Sequence, residues 1–216
     1  KLVGMDKLLR QNLRNDLNVG FGELEELDDG VPEAAEHTAV IRRMGEGLLE
    51  TAQKEREVIK LITDQRETDR IDLRSVVEEC VGTVRDRYPE GSIAVDALAP
   101  VTVDGRCELR SAVIELLENP FQHSEDRAPT VTVRLSRTED GADLVIEDDL
   151  AAIPAVEADV LTGDHDMTNV YHSSGLGFWL IYWSVELSNG SIAVDADPSG
   201  RERGNRITVS LPRATE

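Results

Sequence analysis

Glu115 and Asn119 stand four residues apart in the run Glu115-Leu116-Leu117-Glu118-Asn119-Pro120-Phe121-Gln122-His123. On a helix that spacing stacks a carboxylate and an amide on one face, while Ile114, Leu117 and Phe121 take the other side. An amide oxygen beside a carboxylate is a way to hold Mg2+ between phosphate oxygens, because a hard cation takes oxygen ligands. Downstream, the apolar run Leu144-Val145-Ile146 ends in Glu147, Asp148 and Asp149, and Ser173-Ser174-Gly175-Leu176-Gly177 opens another apolar segment. Glycines before a helix let backbone N–H groups approach a phosphate at the positive helix end. Singly these features are ordinary. Two polar residues on one helical face usually mark a solvated surface, and glycines before a helix usually mark a turn.

The elements that must position these residues fall into two groups. Leu2 to Leu27 places Met5, Leu9, Leu13, Leu17, Phe21 and Leu24 at spacings of three or four, one face of a helix. Asp28 to Pro32 makes a turn, with Pro32 suited to the first turn of the next helix. This second helix is expected from Glu33 to about Asp64, with Ile41, Met44, Leu48, Thr51, Glu55, Val58 and Ile62 in an imperfect heptad register. Two such helices form an antiparallel hairpin that cannot cover both apolar stripes alone. Pairing two hairpins into a four-helix bundle, a homodimer, would cover them; packing on the chain's own C-terminal domain is the alternative.

Polar residues from Thr63 to Asp69 set a boundary, giving a hairpin domain over 1–66 and a second domain over 67–216. In the second, helices are expected from Arg74 to Arg87, Arg106 to His123 and Leu176 to Leu187. Strands are expected at Ser92 to Asp96, Val101 to Val103, Thr130 to Arg137, Ala142 to Glu147, Ser191 to Ala196 and Arg206 to Leu211, with Asp140-Gly141 turning a hairpin. Leu150 to Ser174, rich in glycine and polar residues, reads as a mobile loop with room for one helical turn. The fold class is α+β: a helical hairpin, then a two-layer sandwich with helices on one face of a mixed sheet.

Composition narrows the function. Among the 216 residues, 43 acidic side chains face 23 basic ones, for a net charge of -20, with lysine only at Lys1, Lys7, Lys54 and Lys60. Nucleic-acid binding needs a net basic face and is excluded as an expectation. The acids are spread through patterned segments, so they cover a folded surface rather than a disordered tail. Such a surface repels itself unless salt screens it, and the Debye length falls to roughly 3 Å at 1 M salt, which points to a halophilic source. Cys80 and Cys107 have no metal-like spacing and read as thiols of a reducing compartment. The longest apolar run, Phe178 to Trp183, is too short for a membrane span, so the piece is expected to be cytoplasmic; it lacks an initiator methionine and reads as an excerpt with a further module upstream.

In this order and spacing, the pieces resemble the ATP-binding domain of histidine kinases, the Bergerat-type fold shared with gyrase, heat-shock chaperone and mismatch-repair ATPases. Leu8-Leu9-Arg10-Gln11-Asn12-Leu13-Arg14-Asn15-Asp16-Leu17-Asn18-Val19 resembles the phosphoacceptor helix of haloarchaeal histidine kinases, with Gln11 where that pattern has histidine. The resemblance covers essentially the whole chain. It implies ATP and Mg2+ as cofactors and the receiver domain of a response regulator as partner. It assigns Asn119 to Mg2+, and Glu115 to the position where related ATPases carry a water-activating glutamate. It assigns Asp148 to the adenine amine, Gly175 and Gly177 to the phosphates, and Tyr171 and His172 to the lid over the nucleotide.

Departures from the family pattern are equally specific. Leu150 and Ala152 replace two glycines, removing backbone freedom and adding bulk near the nucleotide. Pro120 replaces the usual alanine and costs its helix a hydrogen bond. Gln11 is the most serious, since an amide nitrogen delocalised into its carbonyl is a poor nucleophile where neutral imidazole offers a lone pair. His37 lies near the turn, about a dozen residues or some 18 Å out of register at 1.5 Å per residue, and His123, His165 and His172 fall in the second domain. The chain as given is therefore expected not to autophosphorylate. Competing readings are a pseudokinase scaffold, a phosphatase of the phosphorylated regulator using Asn15, four residues after Gln11, and a stand-alone ATPase suggested by Glu115.

Overall fold

A computed structural model of the chain describes residues 34–63, 67–124, 128–164, 175–196 and 203–214. In chain order the elements are α1 (Ala34–Thr63), β1 (Asp69–Asp72), α2 (Leu73–Arg87), β2 (Ser92–Leu98), β3 (Thr102–Gly105) and α3 (Leu109–Gln122). They continue with β4 (Thr130–Arg137), β5 (Gly141–Ala151), α4 (Ala155–Thr162), α5 (Gly175–Glu186), β6 (Ser191–Ala196) and β7 (Arg203–Pro212).

Period-two alternation decides how the main sheet lies. Val131, Val133 and Leu135 of β4, Ala142, Leu144 and Ile146 of β5, and Ile207, Val209 and Leu211 of β7 are all buried on one face. The other face carries cross-strand charge pairs: Arg206 with Glu147 at 2.5 Å and with Asp195 at 3.7 Å, and Arg134 Nε with Asp96 at 2.8 Å. That division is how an acidic chain keeps a solvated sheet face while covering the opposite one. The strand order is β2-β4-β5-β7-β6, with β2 parallel to β4 and every other pair antiparallel. A second, two-stranded sheet pairs β1 with β3.

Three helices cover the apolar face. Asp72 caps α2, accepting from Ser75 N at 3.4 Å and from Ser75 Oγ at 2.7 Å, and Leu73, Val77, Cys80, Val81 and Val84 form its buried stripe. α3 packs between α2 and α5. α5 is apolar nearly all round, with Phe178, Trp179, Leu180, Ile181 and Val185 buried, as a helix between other elements must be. α1 lies against α5, and its Val58 and Leu61 are fully buried in the same core.

Most predicted elements lie within a residue or two of the observed ones. The loop expected from Leu150 to Ser174 needs correction: β5 runs on to Ala151, and α4 adds an eight-residue helix at Ala155–Thr162. Its composition misled because alternation stops at Asp148, where the register shifts, although pairing resumes at Ala151 with Arg203. α3 continues through Pro120, which sits in the last turn, and His123 N closes the end on Asn119 O at 3.1 Å. The hairpin's first helix, with Gln11 and Asn15, lies outside the described residues.

Candidate functional site

Two clusters gather the chemistry-bearing residues. The first forms where β5 meets β7. Asp148 stands opposite Asn205 in the register, and Asp148 Oδ1 accepts from Asn205 Nδ2 and from Leu150 N, both at 2.9 Å. Burial pushes the Asp148 carboxyl above the ordinary aspartate range and the neighbouring Asp149 charge adds to this, while the two hydrogen bonds oppose it. Asp149 turns the other way and accepts from Thr130 N at 3.0 Å. Oδ2 of Asp148 takes no donor among the described residues, so one carboxylate oxygen is committed to the protein and one is available to a ligand.

The second cluster lies on α3. Glu115 is only 8% exposed, and its Oε2 sits 3.0 Å from Lys54 Nζ of α1. No donor is aligned for a hydrogen bond at that oxygen, so the contact is an ion pair across the seam between α1 and α3. One turn on, Asn119 Nδ2 is buried and lacks an acceptor among the described residues. A Cβ on Gly177 would lie 2.6 Å from Glu115 Oε2, so the start of α5 is pressed directly against this carboxylate. A cavity of about 310 Å³ opens beside the pair, lined by Gln53, Lys54 and Glu57 of α1, Arg87, and Ser111 and Glu115 of α3. Burial first, then the charge of Glu115, raises the Glu57 carboxyl. Buried Glu118, on the same helix, pairs with Arg87.

The far end of α3 is braced by aromatic packing. Phe121 stacks on Tyr88 at a centroid distance of 5.0 Å, and a Cβ on Gly91 would strike the Phe121 ring at 2.0 Å. Only glycine admits the loop after α2 that close, and the contact fixes the turn carrying Asn119 and Pro120.

The structure thus joins Glu115 and Gly177, puts Asn119 one turn along the same helix, and sets Asp148 in a separate cluster. Gly175 begins α5. Tyr171, His172, Gln11 and Asn15 lie outside the described residues. Leu150 is half-buried and Ala152 exposed. Two residues escaped the sequence reading. Asn205 lay one position outside the predicted strand, yet it continues the inward series of Ile207, Val209 and Leu211, and an amide at an inward position is a detectable signal. Lys54 stood out only as one of four lysines.

The donor set suits a nucleotide bound with a hard cation. Asn119 brings an amide oxygen for the metal and a buried N–H in need of an acceptor such as a phosphate oxygen, and Glu115 brings a carboxylate. Among the described residues no three His, Cys, Asp or Glu side chains gather into a metal cage. No described helix is long and apolar enough to cross a membrane.

Comparison with known proteins gives the family and the fold. Residues 106–215 match the histidine kinase-, DNA gyrase B-, and HSP90-like ATPase family. Among solved structures, the mycobacterial sensor histidine kinase MprB is 28% identical, with a TM-score of 0.58 over 69% of this chain and 99% of that one. The Acinetobacter baumannii histidine kinase AdeS shares the fold at 19% identity and a TM-score of 0.70, over 95% of this chain and 98% of its own. Full-length ShkA, solved in complex with AMPPNP, shares it at 16% identity and a TM-score of 0.61, over 98% of this chain and 46% of that one. No curated protein matches in sequence.

Proposed function

The chain belongs to the histidine kinase-, DNA gyrase B- and HSP90-like ATPase family, and we propose that within it this is the ATP-binding core of a two-component sensor histidine kinase of haloarchaeal type. The observation that carries the reading is the Asp148 carboxylate, half-buried, tied down through Oδ1 and open at Oδ2, at the end of a strand in this fold. The likeness to MprB and the AdeS fold, which extends over α1 as well as the sandwich, supports the kinase branch of the family.

In this reading Asp148 Oδ2 accepts from the adenine amine. Asn119, with Glu115 beside it, would hold Mg2+, which would supply charge neutralisation at the phosphates. Gly175 and Gly177 bring backbone close to the phosphates, and Tyr171 and His172 belong to the lid. The hairpin over 1–66 dimerises and presents residue 11 to the sandwich over 67–216. An upstream sensor and a receiver domain complete the cytoplasmic relay. Gln11 lacks the lone pair that accepts the phosphoryl group, so the chain binds ATP without labelling itself.

The test is ATP titration by calorimetry in molar salt with Mg2+, because protein and ligand are both anionic. Asp148→Asn should weaken ATP roughly ten- to hundred-fold, the cost of losing a buried hydrogen-bond partner. Unchanged affinity would mean the pocket is assigned wrongly.

A further inference from the structure

Asn205 is 2% exposed and spends its whole amide on one short stretch of chain. Its Nδ2 donates to Asp148 Oδ1 at 2.9 Å and to Ala151 O at 3.0 Å, and its Oδ1 accepts from Ile153 N at 2.7 Å. β5 breaks register between Asp148 and Ala151, and the Asn205 side chain bridges the break, holding the Asp148 carboxylate on one side of it and Ala151 and Ile153 on the other. The result fixes both the path of residues 148–153 and the rotation of the Asp148 carboxylate. With Oδ1 already accepting twice, Oδ2 is the oxygen turned to a ligand.

We propose that Asn205 is a positioning residue for nucleotide recognition, acting through Asp148 by orienting its carboxylate and keeping Oδ2 an acceptor for an amino group on the purine. The inference rests on the assignment of Asp148 to adenine. Its electrostatic side comes from the groups around the carboxylate. Burial and Asp149 favour the protonated form, and the donors from Leu150 and Asn205 favour the ionised one. Glu147 and Arg206, next along the strands, pair with each other at 2.5 Å on the opposite sheet face. An ionised Asp148 reads an amine, whereas a protonated one carries a donor of its own. Removing the Asn205 donor therefore raises the pH below which ATP binding fails.

Asn205→Asp separates this role from simple stitching. It keeps an oxygen for Ile153 N, but faces Asp148 with an acceptor in place of a donor. In the 216-residue chain at pH 7.5, with Mg2+ and molar salt, ATP should bind roughly ten- to hundred-fold more weakly, as for loss of a charge-assisted bond. The low-pH edge of binding should also move to higher pH, the nucleotide's own titration being common to both proteins. Asn205→Leu, similar in size and uncharged, should move the edge the same way if the aspartate variant does not fold. In the unsubstituted protein, the Asn205 side-chain amide resonances should shift with pH at the midpoint where ATP binding fails. Folded variants that keep both affinity and edge, or amide resonances that ignore that midpoint, overturn the proposal. Failure of the Asp148 assignment is separable: Asp148→Asn would then leave ATP binding intact, while the Asn205 amide would still report Asp148 titrating.

Discussion

The cluster proposed for adenine and the cluster proposed for the phosphates, here the adenine end and the phosphate end, are built by different means. At the adenine end, Asp148 and Asn205 are neighbours in adjoining strands, and the donors that fix the carboxylate come from residues 150 and 205 of the same sheet. At the phosphate end, Glu115 leans on a lysine from α1, and Asn119 holds a buried N–H without an acceptor among the described residues. Buried polar groups satisfied within one sheet are set before a ligand arrives, whereas an orphaned one waits for its partner. In the proposed reading the nucleotide base would meet a finished surface, and its phosphates one that the ligand and α1 complete.

The largest expected effect tests whether that second surface can be completed at all. The unsubstituted chain should take no label from radiolabelled ATP, and Gln11→His should acquire acid-labile, base-stable phosphate. Label on the Gln11 form would overturn the acceptor assignment. If neither form is labelled while both bind ATP, the adenine end alone is functional. Dephosphorylation of a phosphorylated regulator, lost in Asn15→Ala, would then separate a phosphatase from a scaffold.

A second test targets the ion pair. Lys54→Met leaves Glu115 buried beside Glu57 without its cation, and should cost about 1 to 3 kcal/mol of stability, a melting point lower by roughly 2 to 12 °C. Adding Glu115→Gln should recover most of the loss, because the stranded charge goes with it. An unchanged melting point in the single variant would show the pair to be idle and weaken the contrast between the ends. The smallest effect belongs to the missing glycines. Leu150→Gly with Ala152→Gly frees space near the base but gains little where the backbone is already tied, so ATP affinity should rise by less than about fivefold, near 1 kcal/mol. A much larger gain by calorimetry would mean the adenine end is not finished in advance.

The same contrast decides what was legible in the sequence. Alternation in β4 and β7 and the apolar stripe of α2 announce their buried faces because one rule, apolar inward, governs each position. The Glu115, Asn119 and Asp148 trio stands out only by its order along the chain. What escaped was whatever depends on a second segment: the helix α4, the extension of β5 through a break in register, the Asn205 clamp and the Lys54 contact. Thr51 and Val58 of the heptad are buried and Ile62 packs against the core, but Leu61, outside the register, is fully buried as well, and Leu49 stands 67% exposed. A heptad identifies the apolar stripe without saying which neighbour it meets.

Gly177 was assigned from sequence to the phosphates, yet its nearest neighbour is the Glu115 carboxylate, 2.6 Å from where its Cβ would be. That end of Glu115 meets Lys54 on one side and the start of α5 on the other. A side chain gained at 177 should therefore push residue 115 off Lys54, and the two positions should covary among relatives that keep a lysine at 54.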